Sequence, residues 1–359
     1  MRIIRFESDE VDVTDDKPLR ANVDYVTTRT LLSHYCVACD GCLSVRPYTI
    51  EKPFSSEGDW NGKRILIHRF GCAGDLLFIT PLLGDLKKRW PTCHLTVHCE
   101  QKYHWVFANN PHVDNCLSSP LLREDVDAFD AQINLEDATE YSPLAKTQSA
   151  VDVFAATAGL TLSDNKTFYR PSDALVHKMA QRFPRSAAKR VGISLTSNSV
   201  IRNYPYKSFL EVIGALMKAG VQVVLLGPAP TGVKRQPLFI DLAGERPRLT
   251  WEESVAFMKT CDVVLGADSS AIHFAGAMGV ASLGLYGSFL ARLRIPSQPA
   301  TQAIQATGAC APCFHHGRKH VDFPPEGPCR ESGQCDVLAS ISPTQVVAKI
   351  IEMLGGEGP

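Results

Sequence analysis

Two acidic residues at turns between predicted strands and helices are the first candidates for chemistry. Asp75 closes the glycine-bearing loop RFGCAGD at 69–75, and Asp268 lies in Ala267-Asp268-Ser269-Ser270. In a parallel sheet such turns meet at the carboxyl edge, where helix N-terminal N–H groups favour phosphate. An anion repels phosphate, so we expect Asp268 to accept hydrogen bonds from sugar hydroxyls. On these stretches alone, helix capping is the alternative for both residues.

The elements around these turns form two successive α/β patterns. The first is a βαβ unit with a strand at 64–68, an amphipathic helix at 76–90 and a strand at 95–99. The second half repeats it, with strands predicted at 190–195, 221–226, 262–266 and 280–286 and helices at 207–219, 251–260 and 271–278. We predict two Rossmann-like domains, 61–180 and 181–340, that face a ligand-binding cleft. An N-terminal extension at 1–60 and a C-terminal helix at 341–359 flank them.

Composition excludes several classes of protein. The 359 residues carry a net charge of −1 and 45% hydrophobic residues, so no broad basic field points to nucleic acid. No apolar run reaches the roughly 18 residues that suggest a membrane span. The N-terminus is acidic within ten residues and lacks the apolar core of a signal peptide. These features predict a cytoplasmic protein.

Twelve cysteines is a high count for that compartment, and two clusters have the spacing of metal ligands. Cys310, Cys313, Cys329 and Cys335 could close a tetrahedral zinc or iron site, with His315, His316 and His320 as substitutes. Reduced, unligated thiols are the alternative. The N-terminal cluster is Cys36, Cys39 and Cys42, and Arg46 occupies the fourth position of an iron–sulfur run. A metal site and a cysteine-containing turn both remain open there.

Several motifs in a fixed order resemble the bacterial heptosyltransferase family over about residues 64–354. They are Gly74-Asp75-Leu76-Leu77, Thr80-Pro81-Leu82-Leu83, Asn109-Asn110-Pro111-His112-Val113-Asp114, Gly266-Ala267-Asp268-Ser269-Ser270 with His273, and Tyr286-Gly287. The resemblance implies a GT-B architecture and inverting transfer of heptose from an ADP-sugar to an acceptor hydroxyl. The acceptor would be lipopolysaccharide core or, as in relatives with a four-cysteine metal loop, a protein.

The resemblance also implies roles for individual residues. Asp75 matches the general base that takes the proton of the acceptor hydroxyl, and Arg202 stands where a lysine commonly neutralises the leaving diphosphate. The positions that match substrate-binding residues are Gly74, Thr196, Ser197, Arg202, Asp268, Ser269, Ser270, Ala271 and His273. The chemistry would need no cofactor, so zinc or iron would be structural. A homo-oligomer is compatible with this organisation.

Two departures from the family leave the nucleotide and the sugar open. The stretch Pro230-Thr231-Gly232-Val233-Lys234 lacks the acidic residue that the family often has after Gly227-Pro228, and the loop after Gly287 reads Ser288-Phe289-Leu290-Ala291. A catalytically silent, metal-stabilised assembly or binding subunit is therefore an alternative. A nucleic-acid-binding or redox module built on the cysteines is a third interpretation, which the net charge disfavours. Retention of Asp75, Arg202 and Asp268 favours the enzyme.

Overall fold

The computed structural model divides the chain into two compact units. The first comprises Met1–Ala145 and Val151–Asn165, and the second Lys146–Ala150 and Lys166–Pro359. The structure describes residues 1–6, 19–20, 22–27, 43–197, 199–227, 237–242, 248–314, 329 and 335–356. Cys36, Cys39, Cys42, His315, His316 and His320 lie outside these described residues.

The first unit contains two sheets. Its described strands in chain order are β1 (Arg2–Phe6), β2 (Asp24–Thr27), β3 (Leu43–Pro47), β4 (Arg64–His68), β5 (His94–His98), β6 (Asn115–Leu117), β7 (Leu121–Leu122) and β8 (Ala131–Asn134). Four form a parallel sheet in the order β6-β5-β4-β8. The other four form an antiparallel sheet in the order β3-β1-β2-β7. Ile3, Val26 and Leu66 share one hydrophobic cluster, so the antiparallel sheet packs against β4.

The helices of this part of the chain are short. They are α1 (Ala73–Leu77), α2 (Thr80–Arg89), α3 (Arg123–Asp127), α4 (Ala138–Tyr141) and α5 (Ala150–Thr157), with 3₁₀ turns at Gln101–Val106 and Pro143–Lys146. The prediction of one continuous helix at 76–90 was wrong, because the chain breaks at Phe78 and Ile79. Pro81 lacks an N–H and its ring crowds the carbonyl one turn earlier, and Thr80 Oγ1 donates to the Leu77 carbonyl over 2.7 Å.

The second unit is a doubly wound parallel sheet in the order β11-β10-β9-β12-β13-β14. These strands are β9 (Arg190–Ser194), β10 (Gln222–Leu225), β11 (Phe239–Asp241), β12 (Val263–Ala267), β13 (Ala281–Tyr286) and β14 (Thr301–Gln305). The strand order runs outward in both directions from the β9–β12 pair. That pair is a topological switch point, where open α/β sheets bind their ligands at the carboxyl ends of the strands.

Helices cover this second sheet and complete its core. They are α6 (Asp173–Arg182), α7 (Tyr206–Lys218), α8 (Trp251–Met258), α9 (Ser270–Ala277), α10 (Ala291–Arg294), α11 (Asp336–Ala339) and α12 (Pro343–Met353), with a 3₁₀ turn at Val200–Arg202. Residues 166–180, which the sequence interpretation placed in the first domain, belong to this unit. Lys178 of α6 bonds Glu253 of α8 over 2.9 Å, and Tyr169 packs edge-on against Phe274 of α9.

The architecture confirms the predicted α/β class, with a parallel sheet in each half of the chain. Within the described residues, none of the helices has the length and apolar character needed to cross a membrane.

Candidate active site

Three neighbouring strands of the second unit end at the switch point. Gly266 of β12 is paired with Ser194 of β9 on one side and with Gly284 of β13 on the other. Asp268 follows β12, Arg202 lies in the loop after β9, and Arg294 ends the short helix after β13. The topology therefore brings three charged side chains together from distant parts of the sequence.

Asp268 is the centre of this group and is almost fully buried, with 3% of its side chain exposed. Its Oδ2 accepts from Arg202 Nη1 over 3.3 Å and from Arg294 Nε over 3.2 Å. His273 Nε2 lies 3.3 Å from Oδ1. Burial raises the pKa of this carboxyl, but Arg294, His273 and Arg202 outweigh burial and hold the pKa well below its usual value. Asp268 is therefore an anion at any physiological pH.

The helix that begins beside Asp268 leaves a donor-rich end in the same place. Ser269 is the N-cap residue of α9, yet its side chain makes no capping bond. Its buried Oγ has no hydrogen-bond partner among the described residues, and neither has Nε of Arg202 or the hydroxyl of Tyr286. Capping alone does not account for Ser269, because the cap bond is missing. Unpaired buried donors beside a helix N-terminus fit a site that binds an anion.

His273 connects Asp268 to the chain after α10. Its Nδ1 lies 3.1 Å from Oε1 of Gln298, and the ring is buried. The imidazole thus lies between a carboxylate and an amide, each of which restrains its rotation. This arrangement makes His273 a residue that orients Asp268.

The loop after β9 is held by its own polar groups. Ser197 Oγ donates to the Ser199 carbonyl over 2.8 Å and lies 3.0 Å from Oδ1 of Asn203. Asn203 Oδ1 also accepts from the Ser197 N–H over 2.6 Å. The hydroxyl of Ser197 therefore shapes the loop that carries Arg202, whereas Thr196 is exposed at its start.

Asp75 lies in the first unit, at the third position of α1. Its Oδ2 accepts from the Cys72 N–H over 2.8 Å, which is the reverse arm of a capping box. Its Oδ1 lies 3.6 Å from Arg69 Nη2, and 34% of the side chain is exposed. One oxygen caps the helix while the carboxylate stays accessible, so the capping and catalytic interpretations are compatible.

Gly71 fixes the position of that carboxylate. Its φ is +136°, and a Cβ at this residue would lie 2.7 Å from Oδ2 of Asp75. Any side chain here would both strain the backbone and displace Asp75. The glycine loop therefore places an acid, while Gly74 is buried within α1.

Arg69 lies behind Asp75 and is buried, with 1% of its side chain exposed. It bonds Glu140 over 3.0 Å, donates to the Leu135 carbonyl over 3.1 Å and stacks on the Phe154 ring at 4.9 Å. Burial disfavours its charge, but Asp75 and Glu140 outweigh burial, so the pKa of Arg69 is raised. A permanent buried cation thus lies 3.6 Å from the Asp75 carboxylate.

Sequence reasoning missed Arg69 and Arg294. Arg69 immediately follows an apolar strand, and a buried arginine at that point needs a carboxylate partner, which Asp75 and Glu140 provide. The need for that partner could have identified Arg69 from the sequence. Arg294 gave no such signal, because its contact with Asp268 depends on which strand lies next to β12.

The four C-terminal cysteines all belong to the second unit. Cys329 and Cys335 are buried in the core of the second unit, Cys313 is half-buried and Cys310 is exposed. Burial raises the pKa of the Cys335 thiol, and charges on the other three thiols raise it further, so all four lie within electrostatic range. The Phe314 N–H bonds the Ser288 carbonyl over 2.8 Å, and a Cβ at Gly287 would lie 3.4 Å from Cys335 Sγ. In the part of the chain that the structure describes, no three His, Cys, Asp or Glu side chains are placed to hold a metal ion.

Comparison with known protein families identifies the family of this chain. The model of glycosyltransferase family 9 (heptosyltransferase) matches residues 104–321, more than half of the chain. A sequence search of curated proteins found no match.

Solved structures of a family 9 glycosyl transferase and of heptosyltransferases share the fold of this chain. The glycosyl transferase family 9 protein from Veillonella parvula is 17% identical, with a TM-score of 0.63 over 83% of this chain and 98% of that chain. The ADP-heptose LPS heptosyltransferase II of E. coli is 15% identical, with a TM-score of 0.60 over 81% and 98%. Dodecameric iron-containing heptosyltransferase TibC, in complex with ADP-D-beta-D-heptose, is 15% identical, with a TM-score of 0.60 over 99% and 91%. At these identities the likeness establishes the fold alone.

Proposed function

Because the chain belongs to glycosyltransferase family 9, the heptosyltransferases, we propose that it transfers a heptose, with inversion, from ADP-heptose to an acceptor hydroxyl. The acceptor is a lipopolysaccharide core or a protein. The observation that carries the proposal is the buried Asp268 with Arg202 and Arg294 at the switch point of the second unit. An anionic nucleotide-sugar fits a site that has more cations than anions and a helix N-terminus beside them.

The donor binds the second unit in this proposal. The leaving diphosphate lies against Arg202 and the first-turn N–H groups of α9, at Ser269, Ser270 and Ala271. Asp268 already accepts three hydrogen bonds, and an ionised carboxylate offers about four acceptor positions. One position therefore remains for a sugar hydroxyl. Thr196 supplies a further hydroxyl at the exposed start of the β9 loop.

Asp75 is the base in the proposed reaction. Inversion by a single displacement needs one carboxylate to take the proton of the attacking hydroxyl as the sugar–phosphate bond breaks. Oxocarbenium character at the donor carbon makes a strong base unnecessary, so a carboxylate such as Asp75 is suitable. Arg69 and the Cys72 N–H hold the carboxylate in a defined orientation.

The C-terminal cysteines form the proposed structural site. TibC is described as iron-containing and dodecameric, and here Cys335 lies beside Gly287 with the other three thiols within electrostatic range of it. Zinc or iron would be held by Cys310, Cys313, Cys329 and Cys335, all outside the donor-binding residues, and would tie the loop after the sheet to the core. Elemental analysis should give about one ion per chain, which Cys310→Ser lowers and Cys116→Ser leaves unchanged. Absence of metal from protein purified without chelator would contradict this part.

The proposal also covers the location of the enzyme and its self-assembly. We propose that the enzyme works in the cytoplasm and assembles with copies of itself, as the dodecameric TibC does. Incubation with ADP-heptose and either truncated core oligosaccharide or candidate protein acceptors, read by mass spectrometry, tests the function. Transfer supports it. Tight donor binding without transfer to any acceptor would favour a catalytically silent binding subunit instead.

A further inference from the structure

Two arginines of the second unit share one carboxylate oxygen. Arg202 Nη1 and Arg294 Nε lie 3.3 Å and 3.2 Å from Oδ2 of Asp268. Arg202 follows β9 and Arg294 follows β13, the strands on either side of β12. One negative charge faces two guanidinium charges, which leaves positive charge uncompensated at the switch point.

Both guanidinium groups can take a further ligand. A guanidinium has five N–H donors, and the bonds to Asp268 use one from each arginine. The buried Nε of Arg202 has no partner among the described residues. The side chains of Arg202 and Arg294 are 17% and 18% exposed, so solutes can reach them.

Phe289 orients the second arginine. The guanidinium carbon of Arg294 lies 4.2 Å from the centroid of the Phe289 ring. Stacking on an aromatic face restrains the plane of the guanidinium and leaves its edge N–H groups available. A donor held in place before binding loses less entropy when a ligand arrives. Arg294 is thus fixed at both ends of its head group, by Asp268 and by Phe289.

We propose that Arg294 is the second cation of a diphosphate clamp, together with Arg202, in the donor site on which the proposed function rests. Two forked cations match a ligand with two phosphoryl groups better than a ligand with one. A bound diphosphate would use the N–H groups of the two arginines that Asp268 leaves free.

The test compares ADP with AMP, neither of which carries a sugar. Calorimetry on the full chain should show that the wild-type protein prefers ADP. Arg294→Gln should lower ADP affinity about 10- to 150-fold, the range for a hydrogen bond to a charged group, with a much smaller effect on AMP. Gln still donates a hydrogen bond to Asp268, which protects the fold. Arg292→Gln is the matched control, because Arg292 is exposed on the same short helix and the charge change is the same.

Equal ADP affinities for the Arg294→Gln and Arg292→Gln proteins would overturn the clamp. If Arg294→Gln does not yield folded protein, Arg294→Lys provides a second test. This variant keeps a positive charge beside Asp268 but loses the forked guanidinium, so the preference for ADP over AMP should fall. An unchanged preference for ADP in the Arg294→Lys protein would also overturn the clamp. Because no sugar transfer is measured, a protein that binds ADP through Arg294 but transfers no heptose contradicts only the proposed function. Heptose transfer together with an unaffected Arg294→Gln protein contradicts only the clamp.

Discussion

The two carboxylates at the strand ends differ in how they are held. Asp268 of the second unit has 3% of its side chain exposed and contacts two arginines and a histidine. Asp75 of the first unit is 34% exposed, with one backbone N–H on one oxygen and Arg69 at 3.6 Å from the other. A buried, multiply bonded carboxylate positions its neighbours and a ligand, while an accessible, lightly held one can take a proton. Similar turns in two α/β units thus support different chemistry.

The largest effect is expected at Asp75. Asp75→Asn keeps the size and the bond from Cys72 but cannot accept a proton, so turnover should fall by roughly 10² to 10⁴. Donor binding and melting temperature should stay near wild type, because the residue is partly exposed and the proposed donor site lies in the other unit. Steady-state kinetics and calorimetry with ADP-heptose check both. Near-normal turnover would exclude Asp75 as the base.

Asp268 should show the opposite pattern. Asp268→Asn leaves two arginines without their shared anion, so the second unit should lose about 3 kcal/mol or more of stability, as for other broken buried pairs. Affinity for the nucleotide-sugar should fall as well. Denaturant unfolding and donor titration measure the two effects. If this variant were as stable as Asp75→Asn, the contrast between the two carboxylates would be wrong.

Acid should destabilise the first unit more than the second. His68 and His98 of adjacent strands are buried with their Nδ1 atoms 2.9 Å apart, and burial lowers the pKa of His68 to about 4. A folded-state value below the unfolded value of 6.5 means that stability is complete above about pH 6.5 and is lost as pH falls toward 4. The loss from His68 is about 3 kcal/mol. Asp268, whose pKa lies well below its usual value, stays charged over the same range.

Hydrogen exchange at pH 7 and pH 4.5 measures the loss of stability separately for each unit. Protection of β4 and β5 should fall more than protection of β12 and β13. His68→Gln should flatten the pH dependence of the first unit, whereas the exposed His177→Gln should not. Equal acid sensitivity of both units would count against the buried histidine pair as the cause.

The smallest effect concerns how Asp75 is placed. Gly71→Ala puts a methyl group 2.7 Å from Asp75 Oδ2 at a φ of +136°, so turnover should fall about tenfold and stability by about 1 kcal/mol. Gly62→Ala is the control, since its φ is +70° with nothing within 4 Å of the added carbon. That variant should lose stability but not activity. Equal activity in both would mean that Gly71 does not position the base.

The parts of the fold that follow local patterns were predictable. Strand, glycine turn and helix recur around Asp75 and Asp268, and such turns must lie at the carboxyl edge of a parallel sheet. The antiparallel sheet was not predictable, because β2 pairs with β7 across nearly a hundred residues of chain. Arg294 was hidden for the same reason. Its role depends on β13 lying beside β12, which strand order alone decides.

The most direct test of the central claim is the stereochemistry of transfer. The protein should be incubated with ADP-heptose of known anomeric configuration and an acceptor that mass spectrometry shows to be modified, and the product examined by NMR. The account predicts the opposite anomeric configuration in the product, formed by wild type and lost in Asp75→Asn. A product that keeps the donor's configuration, or equal yields from the two proteins, would contradict an inverting transferase with Asp75 as its base.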